Sequence, residues 1–125
     1  MARNVFIGFE MEDHWARNLL ATQARDQRFD LEFYDYSVKD PFERAWKTNC
    51  KARIALTSAT LCLIGQTTWR SEAVDWEIRA SLDMGHKVIG VRIHRDRSDP
   101  IPVALNNFLT PILPWDLSQI DSALV

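Results

Sequence analysis

Along the chain, short apolar runs repeatedly give way to longer stretches in which apolar residues recur every three or four positions, the signature of strands alternating with amphipathic helices. Asn4 to Phe9 mixes β-branched and aromatic residues between polar flanks and predicts a first strand, central because both of its faces are apolar. Glu12 to Ala24 then puts Trp15, Leu19 and Leu20 on one face and Arg17 and Gln23 on another, a helix opened by acidic residues. Phe29 to Tyr36 predicts a strand at or near a sheet edge, with Leu31, Phe33 and Asp35 facing one way and Glu32, Tyr34 and Tyr36 the other. Ser37 to Pro41 is a polar loop, and Phe42 to Leu56 a helix of weaker periodicity carried by Phe42, Ala45, Trp46, Ile54 and Leu56.

Thr60 to Gly65 is almost continuously apolar, as expected of a strand covered on both faces. The next stretch, Trp69 to Gly85, reads as one helix, with Ser71 as N-cap, Glu72 and Asp75 at the positive end of its dipole and Gly85 as its stop. Val74, Ile78, Ser81, Leu82 and Gly85 line its inner face and Glu77 sits on the edge of that face. The neighbours of Glu77 one turn away, Ala73, Ala80 and Ser81, are too short to pair with a carboxylate, and such a border disfavours the ionised form and raises the pKa. The alternative is a glutamate that leans outward into water.

Lys87 to Ile93 is a fourth strand, His94 to Pro102 a charged, proline-containing loop, and Thr110 to Trp115 a short fifth strand. Asp116 caps a last helix with Gln119 three residues on and Leu117, Ile120 and Leu124 inside. Strands alternating with helices imply right-handed crossovers, so the expected fold class is α/β, a flavodoxin-like three-layer sandwich with a five-stranded, mainly parallel sheet in a single domain over residues 1–125. Ligands of such sheets bind beyond the carboxyl ends of the strands, which gathers Phe9 to Asp13, Asp35 to Asp40 and Gly65 to Trp69 on one rim.

Composition narrows the function more than the fold. A formal net charge of −2 gives no general pull toward nucleic acid or anionic lipid, and no apolar run is long enough to span a bilayer. The opening residues lack the pattern of a signal peptide, and two cysteines without CxxC spacing suggest a reducing compartment, so a cytoplasmic location is expected. The four glycines form neither GxGxxG nor a phosphate-binding loop, which excludes a Rossmann dehydrogenase. His14, His86 and His94 lack zinc-ligand spacing, and no metal is expected. A phosphorelay receiver needs an aspartate at the end of the third strand, where this chain reads Ile64-Gly65-Gln66; the acids Glu10, Glu12 and Asp13 cannot substitute for that acceptor.

Four segments in register carry a resemblance. Val5 to Asp13 (VFIGFEMED), Phe33 to Phe42 (FYDYSVKDPF), Leu63 to Ser71 (LIGQTTWRS) leading into Val74-Asp75-Trp76-Glu77-Ile78, and Val88 to Arg92 (VIGVR) resemble the TIR-like proteins typified by the Thoeris antiphage sensor subunit, over about the first three-quarters of the chain. The resemblance implies NAD+ as substrate rather than a bound cofactor, cleavage of its nicotinamide–ribose bond, and release of a cyclic ADP-ribose isomer that activates an effector protein. It puts the family's catalytic glutamate on Glu77 and the pocket lining on Phe9, Glu10, Asp35, Tyr36 and Ser37. Many catalytic TIR domains carry a tryptophan four residues before the glutamate; here that position is Ala73, and Trp69 is the nearby ring able to stand in, whereas Trp76 is expected to pack. Two other readings stay open. One is a non-catalytic TIR-like interaction module, with five tryptophans suited to a partner protein or a homo-oligomer. The other is an enzyme similar to nucleoside deoxyribosyltransferases, in which the glutamate is a covalent nucleophile.

Overall fold

Every residue of the strand Ala59–Ile64 is buried, and this element lies at the centre of the molecule. The computed structural model describes residues 3–36 and 45–125. Its sheet comprises β1 (Arg3–Gly8), β2 (Leu31–Tyr34), β3 (Ala59–Ile64), β4 (Lys87–Arg92) and β5 (Ile112–Leu113), all parallel, in the order β2-β1-β3-β4-β5. The expected flavodoxin-like α/β sandwich is therefore present, with the short strand β2 at one edge as its alternating pattern predicts. The chain leaves β1 for β2 on one side and reaches β3 on the other, so the switch of direction falls between β1 and β3, where Gly8 pairs with Cys62.

Alternation along the strands sorts the two faces. Val5, Ile7, Phe9, Leu61, Leu63, Ile89 and Val91 point to a core shared with α1 (His14–Asp26) and α5 (Leu117–Ala123). Phe6, Cys62, Ile64 and Val88 point the other way, against α2 (Trp46–Ala55), α3 (Glu72–Asp83) and α4 (Val103–Asn107).

Helix α3 is capped as its sequence predicts, but it spans Glu72–Asp83 rather than the whole of Trp69 to Gly85, and Trp69 falls in a separate 3₁₀ turn before it. The Ser71 hydroxyl accepts from the Val74 amide at 3.1 Å, and Gly85 takes φ +78°, a conformation that favours glycine. Gly85 itself is exposed beyond the helix rather than part of its inner face, which is formed by Val74, Glu77, Ile78, Ala80 and Ser81. Asp116 caps α5 through the Gln119 amide, and Leu117, Ile120 and Leu124 are buried as expected.

Other expectations change. In α1 the buried stripe is Ala16, Leu20 and Ala24, while Trp15 and Leu19 stay half-exposed; small side chains let the helix approach the sheet, and the bulky pair flanks the contact. The helix also begins later, after a 3₁₀ turn at Met11–Asp13. In α2 the inner positions are Cys50 and Ile54, with Leu56 exposed; Phe42 and the loop 37–41 lie outside the described residues. Finally, α4 follows Pro102, whose φ of −55° suits a helix entrance, in a stretch too short for periodicity to reveal.

Candidate active site

Helix α3 brings Glu77 onto the sheet at the carboxyl end of β1. The residue is 1 % exposed, and a Cβ placed on Gly8 would stand 3.0 Å from its Oε2, so the carboxyl occupies room that only glycine leaves. Of the two orientations open to the sequence, the inward one holds. The helix is pinned there by a polar chain: Thr60 Oγ1 bonds Ser81 Oγ at 2.8 Å, and Ser81 Oγ donates to the Glu77 carbonyl at 2.8 Å. On its outer side, Asp75 receives Arg79 Nε at 2.7 Å and the Ala104 amide at 3.1 Å, fixing α3 against the start of α4.

The other expected site residues divide between the faces. Trp69 lies in a 3₁₀ turn at Thr68–Arg70, is 48 % exposed, and walls an open cavity of about 710 Å³ together with Trp46, Trp76 and Ala73. Ala73 thus stands among three tryptophans where a further ring was expected. Trp76 packs as anticipated, edge-on to Trp46 at 5.2 Å, with Lys47 Nζ 5.8 Å from both rings. Tyr36 is half-buried against Phe6, Ile54 and Ala80, on the same face of the sheet as Glu77. Phe9 is on the opposite face, 2 % exposed in the core under α1, with its ring 5.8 Å from that of His14. Glu10 stands at the entrance to the 3₁₀ turn, its carbonyl accepting from the Asp13 amide. The Asp35 carboxylate is held by Arg17 Nε at 2.7 Å, and Arg17 also donates to the Phe33 carbonyl, tying α1 to the end of β2. Ser37 lies outside the described residues. Glu77, Tyr36 and Trp69 therefore share one side, whereas Phe9 does not. Among the described residues no cluster of three potential metal ligands occurs.

One acidic residue emerges that the sequence presented only as part of a charged run. Asp13 is 5 % exposed, and its Oδ2 has no hydrogen-bond partner among the described residues. Burial, followed by the charge of Glu12, with smaller contributions from Glu10 and Asp99, lifts its pKa from 3.8 to about 6 against the opposing effect of His94. Its carboxyl packs on Gly65, and a glycine closing an otherwise apolar strand was the available signal for so close an approach.

The parallel 2-1-3-4-5 sheet, with Glu77 from the helix after the third strand buried against the end of the first, has the flavodoxin-like architecture that TIR domains share. The fold matches that of the crystallised TIR domain of the Toll-related receptor TRR-2 from Hydra magnipapillata, with a TM-score of 0.60 and 17 % identity over 96 % of this chain and 90 % of that one. It is also similar to a 3-dehydroquinate dehydratase-like protein from Bifidobacterium longum, with a TM-score of 0.51 and 16 % identity over 99 % and 93 % of the two chains. Within the TIR-like class the chain belongs to the family described as "Thoeris protein ThsB, TIR-like domain", which it matches over residues 6–98. It is 30 % identical over 105 residues to the Bacillus cereus (strain MSX-D12) protein named "Putative cyclic ADP-D-ribose synthase ThsB1", covering 75 % of this chain and 53 % of that protein. The chain thus spans about half the length of that curated relative. Among the described residues no helix is long and apolar enough to cross a membrane.

Proposed function

We propose that this chain cleaves NAD+ between nicotinamide and ribose and closes the remaining ADP-ribose into a cyclic isomer, a messenger for an effector protein in cytoplasmic antiphage signalling. The observation that carries the reading is Glu77, buried beside Gly8 at the carboxyl end of β1, at the position where the family resemblance expects its glutamate. The name of the Bacillus cereus relative agrees with the product class.

The chemistry asks little of the protein beyond this group and a dry setting. Nicotinamide is already cationic and leaves as a neutral base when the glycosidic bond breaks, so no general acid is required. The ribose carbon passes through an oxocarbenium-like state, which a nearby carboxylate stabilises. Cyclisation then forms a bond from that carbon to an adenine nitrogen or a ribose hydroxyl of the same molecule, and a hydroxyl nucleophile sheds its proton. Ring closure outruns hydrolysis only where the two ends are held together and water is excluded. Trp69, Trp46 and Trp76 around the cavity at Ala73 offer faces on which a nucleotide ring stacks.

The test is nicotinamide release from NAD+, by the protein alone and in lysate of infected cells, with wild type set against Glu77→Gln. Equal turnover in the two proteins would sink the assignment. Partner binding that survives Glu77→Gln, with no NAD+ chemistry under any trigger, would favour the interaction module, a reading to which the half-exposed Trp15 and Trp69 lend support. A ribosyl adduct trapped on Glu77 would indicate the covalent route instead.

A further inference from the structure

Asp13 occupies the N-cap of α1 yet makes no capping hydrogen bond; its backbone, at φ −100° and ψ 14°, is outside the extended region that capping uses. The carboxyl lies instead against the turn that follows β3. A Cβ on Gly65 would stand 2.9 Å from Oδ1 of Asp13, 2.8 Å from Cγ, and closer still to Oδ2, so the whole carboxyl is seated on that glycine. A second tie runs alongside, from Thr67 Oγ1 to the Glu12 carboxylate. Inside the turn, the Gly65 amide donates to Thr68 Oγ1 at 2.8 Å and the Ser71 amide to the Thr68 carbonyl at 3.1 Å. The segment 65–71 therefore rests on the 3₁₀ turn Met11–Asp13 at two points. It delivers Trp69 to the cavity rim and Ser71 to the N-cap of α3, the helix of Glu77.

The geometry points to Asp13 as a positioning residue: its carboxyl, seated on Gly65, sets the turn that places Trp69 and the start of α3. In its effect on turnover, the inference rests on the proposed role of Glu77. The charged and titratable groups around Asp13 are Glu10 and Glu12 on its own turn and, beyond β4, Asp99 and His94. Asp99 is itself bound by Arg97 at 3.0 Å, and its carbonyl by Arg92 at 2.6 Å. Neutral, Asp13 lies on Gly65 without a charge to solvate; ionised, it is buried with no hydrogen-bond partner for Oδ2 among the described residues and faces three other acids, with His94 opposing them. The seat is thus firmest below a pH of about 6 and loosens as pH rises through that value.

The test uses two readouts from about pH 5 to about pH 8, a range that brackets the raised titration of Asp13. In nuclear magnetic resonance spectra of the wild type, the Gly65 and Thr68 amides and the Trp69 indole, assigned with Trp69→Phe, should shift with a midpoint near 6. In Asp13→Asn they should be flat. Nicotinamide release should fall in the wild type through the same window and hold steady in Asp13→Asn. Asp13→Ala, which has nothing to seat, should lose about tenfold at every pH. Resonances that do not move in the wild type overturn the proposal, as does the same midpoint persisting in Asp13→Asn, which would assign it to another group. Asp13→Ala turning over like wild type while Glu77→Gln is inactive overturns it as well. If wild type and Glu77→Gln release nicotinamide equally, the role of Glu77 falls and the resonances alone decide Asp13.

Discussion

Two buried carboxyls, each pressed on a glycine at the end of a central strand, stand on opposite faces of the sheet and live under different conditions. Glu77 comes from the middle of a well-capped helix, in a segment whose backbone is locked to β3 through Ser81 and Thr60. Asp13 comes from a 3₁₀ turn, with further acids around it and His94 as the opposing charge. The first is held by a rigid element and suits chemistry that needs a fixed group; the second joins two loops and suits a joint that responds to charge. A buried acid on its own says little about role; the element that carries it says more.

The comparison can be broken in several places. The largest expected effect is on Glu77: replacement by Gln should lower nicotinamide release by about 100-fold or more while leaving the thermal midpoint near that of the wild type. Loss of folding instead, read by circular dichroism, would make Glu77 a structural group. Next is Gly65→Ala, whose methyl group collides with a carboxyl on a short, constrained turn; unfolding in urea should show a loss of roughly 3 kcal/mol. Adding Asp13→Ala should recover much of it, and strict additivity in that cycle would mean the two residues do not touch in solution.

The pH dependence is at most of the same size and has a definite sign. Because the pKa of Asp13 is raised from 3.8 to about 6 in the folded state, the folded chain holds more proton than the unfolded one between those values. Stability therefore falls as pH rises through that window and levels off above it, by roughly 3 kcal/mol at most. Asp13→Asn should flatten this slope and come out more stable than wild type at neutral pH. A slope unchanged by the substitution would move the titration elsewhere. The smallest effect is expected for Gly8→Ala, where the contact is with the far end of the Glu77 side chain: roughly 1 kcal/mol of stability, with a larger proportional loss of turnover as the carboxyl is displaced.

Much of the fold was legible because it is written locally. Apolar runs marked β1, β3 and β4, and the residue types Ser71, Gly85 and Asp116 marked helix ends by chemistry that acts within one turn. Position 77 was legible as the edge of a face, but its direction was not, since the room for it is made by Gly8 on a distant strand. The same holds for Asp13 and Gly65, which are joined only by the topology. Trp15 and Leu19 misled for another reason: periodicity ranks large apolar residues first, whereas close packing of α1 on the sheet selected Ala16 and Ala24. For the resemblance-derived lining, Trp69 and Tyr36 share the side of Glu77, and Phe9 falls on the other because neighbouring strand residues point apart.

The contact between Asp13 and Gly65 also constrains how this chain can change over generations. While residue 13 carries its carboxyl, any side chain at 65 meets it, so that glycine cannot be exchanged first. Shortening residue 13 opens the position, and once a larger residue has settled at 65 the aspartate has no room to return. The order of substitutions would then act as a ratchet, and two descendants differing at both positions could each be well folded while one of the single-step intermediates between them is not.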